Sequence, residues 1–560
     1  MIIPDDKLRQ YIIGKKLLSD AAFDDVEAYA QNAEITLIDA LLDKELLTEA
    51  NLYQHLSALT KFPLVKLADL SITPKLLSVI PESIARQYHL IAFERLPTAV
   101  HLAMADPSIT EIQDIIAKKV GIKVVAYLAT RTDITNALQN YKLDVRQIFA
   151  KLIDADHIGT DQISEQISIA KIADLIIECA YQDRASDIHI EPEEKHSLIR
   201  FRLDGVLHDI AKLPKSMHER IISRIKILSR LKTDEHLSPQ DGKMRVQLDE
   251  ENLDIRVSII PVADGEKAVL RLLSSRSRKF SLVDLGMSPK DLTRVTSAIK
   301  KSYGMILATG PTGSGKTTSI YSLLKILNSR DKNITTIEDP IEYRISGINQ
   351  IHVNPRTNLN FANGLRSILR QDPNIIFVGE IRDNETASMA VNAALTGHLV
   401  LSTLHTNDAA TAIPRFIDMK VEPFLVASTI NVIIAQRLVR KICTKCRHEY
   451  FLPLSELKLS LPQEIIKKHF SGTTKIKFFR GNGCKHCHQT GYSGRIGVFE
   501  IIEVNNKIRQ LITNRADSDT IISVAVSQGM TTMLDDGLSK CKSGDTTLEE
   551  VLRVTKIENI

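Results

Sequence analysis

The stretch of sequence that decides the fold runs Gly304-Met-Ile-Leu-Ala-Thr-Gly-Pro-Thr-Gly-Ser-Gly-Lys-Thr317. Its apolar first half predicts a buried strand, its glycine-rich second half predicts a tight loop, and apolar residues at helical spacing follow as far as Leu327. This is the G-x-x-x-x-G-K-[ST] pattern in its strand, loop and helix context, where backbone N–H groups and a helix N-terminus surround phosphates. Lys316 is predicted to neutralise the β- and γ-phosphates of ATP, and the Thr317 hydroxyl to bind Mg²⁺. The candidate nucleotide-binding residues are Gly310, Pro311, Thr312, Gly313, Ser314, Gly315, Lys316, Thr317 and Thr318.

Three further apolar runs have the form of buried strands that lead into a polar residue, and these residues are Glu338, Glu380 and His405. Because open α/β sheets bind ligands at the carboxyl ends of their strands, we expect the three side chains to converge on the edge that holds Lys316. Glu380 is the candidate that orients and polarises the attacking water, Glu338 supports the metal or the water, and His405 senses the γ-phosphate. Taken singly, each has a plainer interpretation as a solvated carboxylate or a structural histidine. Gly379 stands where P-loop enzymes usually place a Mg²⁺-directed Asp, so metal binding is expected to rely more on the P-loop threonine, the phosphates and water, with Glu338 or Asp339 as candidate helpers.

The composition is that of a large globular protein. With 560 residues, 43% of them hydrophobic and 25% charged, the chain is expected to form three or four domains. It has no run of 18 apolar residues, and its N-terminus lacks the regions of a secretory signal, so a cytoplasmic location is expected. The 72 Lys and Arg against 68 Asp and Glu give a net charge of +4, which does not by itself indicate a nucleic-acid or membrane partner.

Local patterns divide the chain into successive regions. Helical spacing predicts a helical unit up to about residue 61, short apolar runs then predict an α/β module, and the polar stretch Asp154–Glu165 is predicted to be a linker. The turn pair Asp204-Gly205 between two apolar runs predicts a β-hairpin, and side-chain alternation places Arg200 and Arg202 on one face of it. The predicted divisions are an N-terminal module at 1–150, an α/β domain at 165–275, and a P-loop domain at 280–560 with an insertion at about 440–490.

Further motifs between about residues 170 and 500 are Ser186-Asp-Ile-His-Ile-Glu-Pro192, Arg200-Phe-Arg-Leu-Asp-Gly205, Ile337-Glu-Asp-Pro-Ile-Glu342, Leu369-Arg-Gln-Asp-Pro373, Val378-Gly-Glu-Ile-Arg-Asp383 and Thr396-Gly-His-Leu-Val-Leu-Ser-Thr-Leu-His405. With the P-loop, they make the chain similar to the ATPases of type IV pilus assembly and type II secretion. The resemblance implies a RecA-like motor domain, a preceding PAS-like α/β domain, and a homohexamer with the nucleotide between subunit surfaces. It implies the same roles for the two glutamates and the histidine. It also implies that an arginine of the preceding domain, Arg202 or else Arg224 or Arg271, approaches the phosphates as the hexamer closes.

Four of the six cysteines form two C-x-x-C pairs in the insertion. Two thiolate pairs predict a closed, tetrahedral and structural Zn²⁺ site in a reducing compartment, with disulfides as the alternative. His486 or His488 in place of one cysteine is a further alternative. The insertion also resembles the pilus-extension and secretion branches of the family rather than the shorter retraction ATPases. The predicted ligands are Cys443, Cys446, Cys484 and Cys487.

The resemblance further implies a motor, peripheral to the inner membrane, that drives type IV pilus assembly through an inner-membrane platform protein and other assembly proteins. Type II secretion is the near alternative, and a nucleic-acid-translocating P-loop ATPase is a more distant one. No nucleic-acid partner is expected, because the chain has no Trp and is expected to have no segment that combines dense Lys and Arg with aromatics. Some relatives bind cyclic di-GMP in the N-terminal module through an Arg-Leu-Gly repeat. The comparable stretch here, Ile12-Ile-Gly-Lys-Lys-Leu17, lacks that arginine and gives cyclic di-GMP binding no support.

Overall fold

The computed structural model describes residues 4–33, 35–44, 46–70, 72–77, 79–138, 169–248, 251–274, 281–471 and 475–555. Backbone contacts group the chain into two compact units, Met1–Glu27 with Thr36–Arg276 and Ala28–Ile35 with Ser277–Ile560. The predicted linker Asp154–Glu165 lies outside the described residues. The domain boundaries given above therefore stay predictions.

The N-terminal part of the chain consists of helices followed by a small sheet, as the sequence predicts. Its elements are α1 (Asp5–Gly14), α2 (Asp20–Ala33), α3 (Leu37–Asp43), α4 (Glu49–Thr60), α5 (Pro74–Leu77), α6 (Glu82–Gln87), β1 (Leu90–Arg95), β2 (Ala99–Met104), α7 (Thr110–Val120), β3 (Lys123–Leu128) and α8 (Arg131–Leu138). Thr36 and Thr48 fix the starts of α3 and α4, because their hydroxyls accept hydrogen bonds from backbone N–H groups of the first turn. β2 pairs antiparallel with β1 and parallel with β3.

The next part is a six-stranded antiparallel sheet with two helices. Its elements are α9 (Ile169–Gln182), β4 (Asp187–Pro192), β5 (His196–Leu203), β6 (Val206–Pro214), α10 (Lys215–Leu228), β7 (Gln240–Gln247), β8 (Asn252–Val262) and β9 (Gly265–Leu273), in the strand order β6-β5-β4-β9-β8-β7. The predicted hairpin is β5–β6. Asp204 and Gly205 form its turn with φ of 50° and 91°, the left-handed region that such two-residue turns require.

The P-loop part is built on a seven-stranded sheet in the order β12-β11-β13-β14-β10-β15-β18. Its elements are α11 (Pro289–Ile299), β10 (Gly304–Thr309), α12 (Lys316–Leu327), β11 (Ile334–Glu338), β12 (Asn349–His352), α13 (Phe361–Ile368), β13 (Ile375–Val378), α14 (Asn384–Leu395), β14 (Leu399–Leu404), α15 (Ala412–Asp418), α16 (Pro423–Thr429), β15 (Ile430–Ile442), β16 (Arg447–Pro453), α17 (Leu454–Ser460), α18 (Gln463–Phe470), β17 (Lys475–Gly481), β18 (Tyr492–Glu503), α19 (Asn506–Thr513), α20 (Ser518–Ser527), α21 (Met533–Ser543) and α22 (Leu548–Val554). Short 3₁₀ turns lie at Leu67–Asp69, Pro355–Thr357 and Lys485–Cys487.

This sheet is parallel except for β18, which runs antiparallel to β15. Alternate residues of each central strand enter two separate apolar cores, so that Met305 and Leu307 belong to one core and Ile306 and Ala308 to the other. A sheet buried on both faces explains why its strands appear in the sequence as continuous apolar runs. The insertion forms a two-stranded antiparallel ribbon, β16–β17, with α17 and α18.

Candidate nucleotide site and metal centre

The phosphate loop follows β10, all six residues of which are buried, and leads directly into α12 at Lys316. The Lys316 side chain is buried, and its Nζ donates hydrogen bonds to the carbonyl oxygens of Gly310 at 2.7 Å and Pro311 at 3.0 Å. Burial lowers the pKa of Lys316, and the negative charge of Glu380 opposes that effect. A desolvated ammonium held only by neutral carbonyls gains strongly from a phosphate, because a full negative charge then replaces partial ones.

Glu338 is the last residue of β11, and its side chain is buried at the carboxyl end of this strand. Its Oε1 accepts hydrogen bonds from Thr336 Oγ1 at 2.5 Å and Gln350 Nε2 at 3.1 Å, while Oε2 accepts one from the Tyr321 hydroxyl. Burial raises the pKa of Glu338 even though these donors act in the opposite direction. The carboxyl group is therefore fixed in orientation, and its role towards the metal or the water stays a prediction.

Glu380 lies two residues beyond the end of β13, and His405 directly follows β14. Glu380 is buried, and its Oε2 lies 3.1 Å from His405 Nε2, while its Oε1 lies 2.7 Å from Arg382 Nη2. The structure thus brings Glu380 and His405 into contact on the strand-end edge that also holds Lys316. We call the set Lys316, Glu338, Glu380 and His405 the nucleotide edge. Arg382 was not predicted from the sequence, although its position two residues after Glu380 could have pointed to it.

Gly379 shows why an aspartate is absent before Glu380. A Cβ atom at this position would lie 3.2 Å from the Ile337 carbonyl oxygen and 3.3 Å from Glu338 Cα, so a side chain would press on the backbone of the neighbouring strand. The backbone of Gly379 is also fixed, because its N–H donates to Ile337 and its carbonyl accepts from Thr403 Oγ1 at 2.7 Å. A Mg²⁺-directed Asp does not fit here without a shift of β11.

The six-stranded sheet carries a second group of charges on one face. Arg202 Nε lies 3.4 Å from the Asp187 carboxylate, and Arg271 Nε donates to the same carboxylate at 3.0 Å. Arg200 pairs with Glu191 at 2.6 Å. Arg200 and Arg202 therefore share a face, as the alternation predicts. The cross-strand register adds one arginine that the sequence reasoning missed, since Arg256 of β8 stands opposite Arg271 of β9.

We call Arg200, Arg202, Arg256 and Arg271 the arginine face. Arg224, an alternative candidate, lies on α10 rather than on this sheet. The register of strands that are distant in sequence brings Arg256 beside Arg271, so only a prediction of the whole β7–β9 meander could have found it.

The four insertion cysteines form one cluster, in which all Sγ atoms lie within 4.8 Å of one another. Three of the sulfur–sulfur distances are 3.6 to 3.8 Å, far beyond a disulfide bond of about 2.05 Å. Ligands about 2.3 Å from a tetrahedral Zn²⁺ lie about 3.8 Å apart, so the donor set fits zinc. Burial acts to raise the pKa of Cys487, but backbone N–H groups of Cys484 and Gly491 outweigh it and lower that pKa to about 7. Among the described residues, His486 and His488 do not belong to this cluster.

The insertion is also the most basic part of the chain, with eleven Lys and Arg against three Asp and Glu between residues 440 and 490. In the ribbon, Lys477 lies over the ring of Phe479 at 5.2 Å and Arg480 over that of Tyr450 at 5.1 Å. The expectation that no segment combines Lys and Arg with aromatics was therefore wrong for Lys475–Arg480. Because that expectation argued against a nucleic-acid partner, the alternative needs a direct test.

Residues 162–553 match the sequence profile of the type II/IV secretion system proteins. The chain is a member of this family. Residues 60–147 match a second profile, the MshEN domain. As a type II/IV secretion system protein with an intact P-loop, the chain is an ATP hydrolase and a motor ATPase of this family. Within the residues that the structure describes, no helix is both long and apolar enough to cross a membrane.

Relatives of this secretion-family ATPase include both pilus and secretion proteins. It is 35% identical over 562 residues to the type IV pilus assembly ATPase PilB of Myxococcus xanthus. This alignment covers 98% of each chain. It is 45% identical over 409 residues to the type II secretion system protein HxcR of Pseudomonas aeruginosa, covering 72% of this chain and 82% of HxcR. The crystal structure of the Legionella pneumophila ATPase DotB, 22% identical, superimposes with a TM-score of 0.51 over 68% of this chain and 95% of DotB. The last likeness supports the fold alone.

Proposed function

We propose that this ATPase powers type IV pilus assembly, working as a homohexamer at the cytoplasmic side of the inner membrane and passing its work to a membrane platform protein. The observation that carries the proposal is the end-to-end match to PilB, which includes the N-terminal module as well as the motor. Type II secretion is the second candidate, because HxcR is more similar over the region that it shares.

The proposed chemistry assigns a task to each group of the nucleotide edge. Lys316 leaves its two loop carbonyls and neutralises phosphate oxygens, and Thr317 is the hydroxyl that would hold Mg²⁺, which supplies further charge neutralisation when bound. Glu380 accepts a hydrogen bond from the attacking water and so orients it. His405 fixes the Glu380 carboxylate through the 3.1 Å contact. Glu338, held in orientation by hydrogen bonds from Thr336, Tyr321 and Gln350, supports the water or the metal shell.

The proposal also gives roles to the two other groups of residues. One arginine of the arginine face, Arg202 foremost, acts on the nucleotide of a neighbouring subunit, where it stabilises charge that develops on the transferring phosphoryl group. The cysteine cluster holds a structural Zn²⁺ with no open position. Cyclic di-GMP is a possible ligand of the N-terminal module, because residues 60–147 match the MshEN domain profile, although the Ile12–Leu17 stretch lacks the arginine of the repeat.

The deciding experiment removes the gene from the bacterium that carries it and restores it in two forms, wild type and Lys316→Ala. A pilus motor predicts loss of surface pili by electron microscopy, recovery with the wild type only, and unchanged secreted proteins. Loss of secreted enzymes with normal pili would instead establish the second candidate. Stimulation of the purified ATPase by DNA, with neither phenotype in cells, would favour nucleic-acid translocation.

A further inference from the structure

Gln436 of β15 is a fully buried polar residue that lies against the phosphate loop. It follows Ala435, the last residue of β15 that pairs with β10. A Cβ atom at Gly310 would lie 2.4 Å from the Gln436 carbonyl oxygen, and one at Gly315 would lie 2.8 Å from Gln436 Nε2. Gln436 Oε1 accepts a hydrogen bond from Ser319 Oγ at 2.6 Å. One residue thus contacts the first glycine of the loop, the last glycine of the loop and the helix that follows.

Some buried donors around the phosphate loop have no acceptor among the described residues, while two of its carbonyls depend on Lys316 for their donor. Within the part of the chain that the structure describes, Gln436 Nε2 has no acceptor, and neither has the hydroxyl of Ser314 in the loop itself. At the same time, the carbonyls of Gly310 and Pro311 both receive their donor from Lys316 Nζ. A buried donor without an acceptor is unfavourable, and buried groups of this kind are rare in folded proteins.

The imbalance is resolved when Lys316 changes partners. If the ammonium turns to the phosphates of ATP, as the proposed function requires, the Gly310 and Pro311 carbonyls lose their donor while two unused donors stand beside the same loop. We propose that Gln436 is a positioning residue for nucleotide binding, whose Nε2 donates to the phosphate loop when Lys316 leaves it. The loop then keeps its shape while its lysine works on the substrate. No proton is transferred, because each N–H only exchanges its acceptor.

Gln436→Glu is the sharpest test, because it keeps the side-chain shape and the acceptor for Ser319 but replaces the NH₂ donor by an acceptor oxygen. At pH 8 we expect the KM for ATP to rise about tenfold or more, with a smaller change in kcat. As the pH falls to 6, a buried carboxyl group takes up a proton and becomes a donor again, so the ratio of mutant to wild-type KM should shrink. Gln436→Met, which has no donor at any pH, should show the rise at both pH values.

Ser319→Ala is the matched control, since it removes the Oε1 bond but leaves Nε2 untouched, and its KM should stay within about threefold of wild type. Melting temperatures of all variants identify any that fail to fold, and binding of a fluorescent ATP analogue separates affinity from turnover. A pH-independent KM ratio for Gln436→Glu, or an unchanged KM in both Gln436 variants, would overturn the inference. Failure of the proposed function looks different, because the wild type would then lack ATPase activity or its loss would leave pili intact.

Discussion

The nucleotide edge and the arginine face both carry charges that we assign to phosphate chemistry, but they hold these charges in opposite ways. On the nucleotide edge, the Glu380 side chain is 11% exposed and bound by its own neighbours. On the arginine face, Arg202 is 35% and Arg271 62% exposed, and both pair with the buried Asp187. A phosphate can reach these partly exposed arginines and compete with Asp187 for them, whereas the buried Glu380 carboxylate is held between Arg382 and His405. This difference supports the proposal that the first region acts within its own subunit, while an arginine of the second exchanges Asp187 for the phosphate of a neighbouring subunit.

Substitutions in the nucleotide edge should have the largest effect. Lys316→Ala should abolish ATP hydrolysis, and Glu380→Gln should lower kcat on the order of 10³ while nucleotide binding stays near wild type. In the proposed mechanism, Lys316 supplies positive charge for binding the phosphates, whereas Glu380 acts on the attacking water. Steady-state ATPase assays and equilibrium nucleotide titrations measure the two effects separately. The control is Glu385→Gln, an exposed carboxylate paired with Arg366 at 2.8 Å, which should change activity less than about twofold. Full activity in Glu380→Gln would remove the water-positioning role.

The next test asks whether the arginine face acts across subunits. Arg202→Ala alone should lose on the order of 10³ in rate, because charge on the phosphoryl group then develops without its partner. Mixed with Lys316→Ala subunits, it should regain part of the activity, since some interfaces pair an intact P-loop with an intact arginine. ATPase activity against mixing ratio is the measurement.

The control for this test is Arg245→Ala, an exposed arginine of the same sheet that pairs with Asp254 at 2.7 Å. It should remain active alone. If assemblies shown to contain both mutant chains stay inactive, Arg202 works within its own subunit or not at all, and the comparison between the two regions fails.

The cysteine cluster sharpens the comparison, because it should affect structure without affecting chemistry. Protein purified without chelators should contain about one Zn²⁺ per chain by elemental analysis, and Cys446→Ser with Cys487→Ser should remove it and lower the melting temperature. The control is Cys179→Ala, a buried cysteine outside the cluster that should leave the zinc content unchanged. Absence of zinc in wild-type protein, or metal retained in the double variant, would contradict the assignment.

The smallest effect concerns Glu500, which is buried in β18 and accepts the Ala409 N–H at 3.1 Å, in the loop after His405. Burial raises the pKa of Glu500 to about 7, and the Ala409 N–H lowers it only in part. The folded protein therefore binds more protons than the unfolded chain between its ordinary pKa and about pH 7, so stability falls as the pH rises through that range.

The glutamine in Glu500→Gln cannot ionise, so the variant should lack this pH-dependent contribution to stability. Between pH 5 and pH 8, the wild type should lose about 3–6 °C of melting temperature more than the variant does. The measurement is a pair of melting curves at each pH. Equal pH dependence in both proteins would show that Glu500 keeps an ordinary pKa.

Patterns in the sequence predicted what depends on local order. The strand, loop and helix around Lys316, the β5–β6 hairpin and the cysteine pairs follow from spacing within a few residues, and each lies where it was predicted. The carboxyl-end rule for parallel strands also anticipated the contact between Glu380 and His405, which are 25 residues apart.

What could not be predicted depends on the register of distant segments. Arg256 joins the arginine face only because β8 and β9 pair in one particular alignment. Gln436 lies 120 residues beyond Lys316, and although it follows the apolar run Val432–Ala435 as a polar residue, that pattern cannot show which atoms of the phosphate loop it contacts. The lack of space for a side chain at Gly379 is likewise a property of the assembled sheet, because β11 fills that space. Packing, rather than sequence pattern, supplies these residues.

The paired strands β15 and β18 run out of the motor sheet to the register Ile442 with Tyr492, and the cysteine pairs flank this end. A metal held there would tie together the two ends of the 37 residues between Cys446 and Cys484. In terms of chain entropy, a cross-link over such a loop removes freedom from the unfolded chain equivalent to roughly 4 kcal/mol. Doubling the loop would change the closure term by only about 0.6 kcal/mol. The insertion can therefore vary in length and content with little thermodynamic consequence for the sheet that carries the nucleotide edge.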